Sequence, residues 1–129
     1  MCTATTSHAP VLDGADLAEG AHVNGVGSFT LEMRELDPRT IERSTIYIDE
    51  LEAALTEAGE LVAAERDGIT SRDAWTPLGL VARGAAPGRV DGREITLFKS
   101  VGHAVQDVAA TARALEAARA RGLGTEIEL

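Results

Sequence analysis

Short β-rich runs alternate with helical stretches along this chain, and few folds accept that order. "AHVNGVG" (21–27), "STIYIDE" (44–50) and "EITLFKS" (94–100) read as strands bounded by turn residues. Ile46 and Ile48 share one face of their strand, with Tyr47 on the other; Val23 and Val26 are core candidates in theirs. Between the strands lie helical patterns. Asp37 followed by Pro38 is the favoured order for a helix start, with Ile41 facing inward. Asp49 is placed to cap "ELEAALTEA", in which Leu51, Ala54, Leu55 and Ala58 recur at helical spacing. Gly59 interrupts, and "ELVAAER" adds a further turn or two. A short helix is expected around Leu78 to Ala82.

The last helix is the longest. Val101, Ala104, Val105, Val108, Ala112 and Leu115 form one stripe, and Gly122 is a plausible C-cap. "TEIEL" reads as a short final strand. The alternation favours an α/β layer fold with a mainly parallel sheet. Ligands of such sheets bind beyond the carboxyl ends of the strands. Three segments fall there: Thr3 to Ser7, Val26 to Thr30, and Lys99 to Gly102.

Composition narrows the partners. The 129 residues suffice for one domain, and the net charge is -9. Acid excess argues against nucleic acid or an anionic membrane, because phosphate binding needs clustered Lys and Arg. Lys99 is the single lysine, and Cys2 is the single cysteine, so no internal disulfide can form. A reduced thiol, no signal pattern and no apolar run of membrane-spanning length point to the cytoplasm.

No single motif decides the chemistry. "GVGS" lets a ligand approach the backbone but lacks the GxGxxG spacing, and alone reads as a tight turn. "TATTS" offers hydroxyls that bind a ribose or an amide, or close an ST-turn. In "FKSVG", Lys99 and Ser100 stand at a strand end before a helix. A carboxylate docks there, or Lys99 is solvated and Ser100 caps the helix. His8, His22 and His103 have no metal-ligand spacing, and no GxSxG elbow is present. Phe29, a large apolar side chain in a polar loop, either plugs the core or lines a pocket.

Taken together, "TATTS", "GAHVNGVGSFTLEMRELD", "AGEL", "PGR", "EITLFKSVGHAVQDVAA" and "RGLGTEIEL" resemble the ornithine cyclodeaminase/μ-crystallin family in order and rough spacing. "GVGSFTLEMREL" and "TLFKSVG" are the specific parts. The resemblance implies a dimeric enzyme that uses NAD or NADP, with an N-terminal substrate and dimerisation domain and a Rossmann domain. It implies that Thr5 lies close to the cofactor and that Val26 and Gly27 lie along the nicotinamide. Ser100 would stand near the nicotinamide amide, and Val101 would touch the bound amino acid. Phe29 departs from the cyclodeaminase pattern, where an aspartate handles the proton on the substrate amine. Phe cannot exchange a proton, so it reads as a pocket wall in the ketimine-reductase branch.

No GxGxxG or GxGxxA occurs, so the family's pyrophosphate loop is absent. The expected fold is therefore a partial Rossmann-type sheet with a long C-terminal helix, without the first βαβ unit or the N-terminal domain. Residues 1–102 would be the C-terminal part of the NAD(P)-binding domain. Residues 103–129 would be a helix and tail that pack on the missing domain. The implied reaction is reduction of a small cyclic imino acid such as pyrroline-2-carboxylate or piperideine-2-carboxylate. The rival is cyclodeamination of ornithine to proline and ammonia. A third reading is an inert chain that serves only in assembly. Expected partners are a separately encoded N-terminal half and a second copy bound through the C-terminal helix.

Overall fold

Rows of branched apolar side chains organise the sheet. The computed structural model describes residues 1–127. Its strands are β1 (Cys2–Thr3), β2 (His22–Gly25), β3 (Ser44–Ile48), β4 (Thr76–Pro77) and β5 (Ile95–Lys99). All pairings are parallel, in the order β1-β2-β5-β3-β4. The register sets Val23 beside Leu97 and Leu97 beside Ile46. This row is buried and forms the middle of the core.

The helices are α1 (Pro38–Glu42), α2 (Leu51–Glu57), α3 (Gly59–Arg66), α4 (Leu78–Ala82) and α5 (Ala104–Ala120). Ile41 from α1, Ala54 from α2, Ala58 at the α2–α3 junction, and Leu61 and Ala64 from α3 join the strand residues in one core, with Leu17, Leu36 and Trp75. Asp37 caps α1 as expected, accepting from the Thr40 N–H at 2.9 Å, with Pro38 in the first turn. The same carboxylate accepts from the Gly14 N–H at 3.1 Å. A Cβ on Gly14 would lie 2.3 Å from the Thr40 nitrogen, so only glycine fits there.

Several expectations are corrected. Asp49 does not cap α2; Glu50 does, accepting from the Ala53 N–H at 2.9 Å. Val26 lies just past β2 and is 40% exposed rather than core. The last helix starts at Ala104, not Val101, with His103 as its cap. Val101 instead packs against the core from the loop. None of the α5 residues is buried, and Val105, Val108 and Leu115 are exposed. Gly122, at φ 63°, closes α5 as expected, and the Leu123 N–H reaches back to the Ala118 carbonyl at 2.9 Å. The expected final strand does not form over 125–127; Glu128 and Leu129 lie outside the described residues.

The second face of the sheet is less covered. A groove of about 310 Å³ there is lined by His22, Tyr47, Leu78, Val81, Gly88, Arg89 and Thr96. Three of its polar side chains engage one another: Arg89 donates to the Thr96 hydroxyl at 2.8 Å, and a His22 ring nitrogen lies 2.8 Å from the same oxygen.

Candidate functional site

All six residues implied by the family resemblance lie on loops at the carboxyl end of the sheet. The β-ladder carries into these loops. The Val26 N–H donates to the Thr3 carbonyl and the Ser100 N–H to the Gly25 carbonyl, each at 3.0 Å. Thr5 and Gly27 are brought into direct contact. A Cβ on Gly27 would sit 2.2 Å from the Thr5 nitrogen and 2.4 Å from a Glu35 oxygen. Gly27→Ala must therefore push the two loops apart. We expect it to cost about 1–3 kcal/mol, as overpacking does, read as a lower urea midpoint. A loss below about 0.5 kcal/mol would show that the loops part freely.

Glu35 lies beneath this contact and is fully buried. Its carboxylate accepts from the Thr5 N–H at 2.5 Å, the Gly27 N–H at 2.7 Å, the Thr3 hydroxyl at 3.0 Å and the Ser28 N–H at 3.3 Å. Burial alone would raise its pKa. The hydrogen bonds from Thr5, Gly27 and Thr3 outweigh that and hold it below the ordinary carboxylate value. The inward N–H groups of the "GVGS" loop are thus filled by the protein's own carboxylate, which leaves them closed to a ligand phosphate.

Lys99 is neither solvated nor open to a ligand carboxylate; it is 1% exposed. Its ammonium donates to the carbonyls of Ser28 at 2.6 Å, Ser100 at 3.0 Å and Gly25 at 3.4 Å, and faces Glu60 at 3.7 Å. Burial pulls its pKa down, while the charges of Glu60, Glu35 and Asp49 act in the opposite direction. Ser28 bridges the network, with its hydroxyl 2.6 Å from Glu60.

Asp49 holds the third loop. It accepts from the Ser100 hydroxyl at 2.7 Å and from the Val101 and Gly102 N–H groups at 3.0 Å each. Ser100 therefore caps no helix; its side chain ties β5 to the end of β3. Above these anchors Thr5 is exposed, while Ser100 and Val101, like Asp49, are half-buried. Phe29 is 52% exposed and does not plug the core.

Glu35 and Glu60 escape sequence reading because acids in charged segments look like solvated surface, and Asp49 reads locally as a helix cap. Lys99 carries a signal: period-two alternation puts it on the inward face with Ile95 and Leu97. Among the described residues no group of His, Cys, Asp and Glu is arranged to hold a metal ion, and no helix is long and apolar enough to cross a membrane.

A parallel sheet whose loops gather at one end, on a floor of buried ionised groups, is part of a Rossmann-type α/β domain. The profile of the ornithine cyclodeaminase/mu-crystallin family matches residues 1–122. The chain belongs to that family. A Delta(1)-pyrroline-2-carboxylate reductase of Bacillus cereus is 38% identical over 99% of this chain and 40% of its own length. The structure of Thermococcus litoralis Delta(1)-pyrroline-2-carboxylate reductase in complex with NADH and L-proline superposes with a TM-score of 0.88 at 36% identity, over 98% of this chain and 39% of that one. The iminosuccinate reductase of Paracoccus denitrificans in complex with NAD+ gives a TM-score of 0.86 at 31% identity, over 99% of this chain and 39% of that one. The chain thus spans about two-fifths of the length of these relatives.

Proposed function

We propose that this chain supplies the nicotinamide-facing and substrate-facing loops of an NAD- or NADP-dependent cyclic ketimine reductase. The observation that carries this reading is the closed floor of the site. Glu35 and Asp49 take the inward N–H groups, so the loops present Val26, Gly27 and Phe29 as a surface without free charge. Such a surface suits a flat, uncharged ring and not a phosphate. The residues present therefore fit the nicotinamide end of the cofactor. A reduced nicotinamide supplies the hydride that adds to the C=N carbon of the imino acid.

The protein's part is orientation. The place a Gly27 side chain would take is filled by the Thr5 backbone and Glu35, so this loop offers the ring backbone alone, and the Thr5 hydroxyl beside it accepts from the Ser7 N–H at 3.2 Å. Ser100, held by Asp49, sets the edge of the site near the carboxamide. Val101 and Phe29 wall the imino-acid ring and exclude water. Phe29 carries no proton to exchange, which favours reduction over ornithine cyclodeamination.

A second reading is favoured by α5. A 17-residue helix without a buried residue has an unmet apolar face. On this reading the chain works within an assembly, through a second copy or a separately encoded N-terminal half, and is inert alone. Residues 103–129 would then be an arm carried by the 1–102 domain.

A melt of the purified chain at two protein concentrations tests both readings. NADH or NADPH at millimolar level is expected to raise the melting point, and ADP-ribose, which lacks the nicotinamide, is not. No shift with either dinucleotide overturns the nicotinamide assignment. A melting point that rises with protein concentration supports pairing through α5; one independent of concentration counts against it.

A further inference from the structure

Phe29 is a large aromatic side chain left half in solvent, and the residue before it is among the most constrained in the molecule. Ser28 is fully buried. Each of its polar groups ends on a different buried ionisable side chain. Its N–H donates to Glu35 at 3.3 Å, its hydroxyl donates to Glu60 at 2.6 Å, and its carbonyl accepts from Lys99 at 2.6 Å. Glu35, Glu60 and Lys99 come from the loop before α1, from α3 and from β5, so three separate parts of the fold meet on one serine. A surface loop needs no such anchoring merely to connect β2 to α1. An exposed aromatic ring on a fixed base loses little freedom when a ligand packs against it.

We propose that Ser28 is a positioning residue that holds the backbone at Phe29 in place, presetting Phe29 as a wall for the substrate ring. The wall itself rests on the ketimine-reductase reading above; the anchoring does not. The hydroxyl is the strut that ties the loop to α3. Without it Glu60 loses its hydroxyl donor, and the residue before Phe29 loses its own tie to α3.

The chain has two phenylalanines, so labelling with ¹⁵N-phenylalanine gives two amide signals, and Phe29→Leu identifies one of them. Phe98, in β5, is the internal reference. In the parent both amides should show order parameters of about 0.85, the rigid-backbone value. In Ser28→Ala the Phe29 amide should fall below about 0.6 while Phe98 stays unchanged. Should Ser28→Ala fail to fold, Ser28→Cys keeps the size with a weak donor and reads the same quantity.

A Phe29 amide already mobile in the parent overturns the proposal. So does one unmoved by Ser28→Ala, or one that loosens only together with Phe98, which is the mark of general destabilisation. The wall reading is scored separately. L-proline added with NADH should shift the Phe29 signal; absence of a shift removes the wall and leaves the anchor standing.

Discussion

Lys99→Ala is expected to destabilise the fold by about 3–5 kcal/mol, the range for breaking a buried ion pair from one side. Glu60, itself 2% exposed, would be left charged without its cation. The carbonyls of Gly25, Ser28 and Ser100 would lose a shared donor. For a chain of this size the melting point should drop by roughly 10–20 °C. Lys99→Met replaces most of the lost volume but not the charge, so it should recover only part of the loss. If both variants melt within about 3 °C of the parent, water has entered to solvate Glu60 and the network is not structural. The functional consequence is specific. Lys99 contacts residues adjoining Val26, Phe29 and Val101, so its loss should loosen the site before it loosens the core row of Val23, Leu97 and Ile46.

Glu35→Gln is expected to cost about 3 kcal/mol at neutral pH, although it keeps the shape of the side chain. Both oxygens of Glu35 are acceptors: one takes the Thr5 N–H, the other the Gly27 N–H and the Thr3 hydroxyl. Glutamine presents an NH₂ on one side, so a donor meets a donor whichever way the amide is turned. The folded pKa of Glu35 lies below its ordinary value of 4.5. A depressed carboxylate contributes stability that is fully present above the unfolded pKa and is lost as pH falls through the folded pKa. The gap between parent and Glu35→Gln should therefore be constant from about pH 7 to 5 and shrink as the parent is acidified further. Chemical denaturation of both proteins along a pH series measures it. A gap independent of pH on the acid side would show that the charge of Glu35 contributes nothing and that only the contact geometry matters.

These two residues show where sequence reading stopped. Strands β2, β3 and β5, the Asp37–Pro38 helix start, the short α4 and the Gly122 stop were legible because each depends on neighbours within a few residues; β4, two residues long, has no periodicity to read. The three site loops were legible because each follows a residue run that reads as a strand end. The assignment of Asp49 went wrong because Asp49 and Glu50 both precede α2 and local propensity does not choose between them. The choice is made by β5, which brings Ser100, Val101 and Gly102 to Asp49 and leaves Glu50 to the helix. Val26 went wrong because an apolar residue at a strand end reads as core until the strand is known to stop at Gly25.

What the sequence by itself determined is the kind of layer this chain builds and which loops leave its carboxyl end. Periodicity and turn chemistry act over short stretches of chain, and they were enough for that. What only the tertiary structure decided is the floor of the site. Glu35, Ser28, Glu60, Lys99 and Asp49 come from four separate parts of the chain, and apart from Lys99, whose alternation with Ile95 and Leu97 turns it inward, none carries a local sign of the contacts it makes. Parallel pairing sets β1, β2, β5 and β3 side by side, and their ends are then close enough for buried charges to find donors and acceptors that no local pattern could have assigned to them.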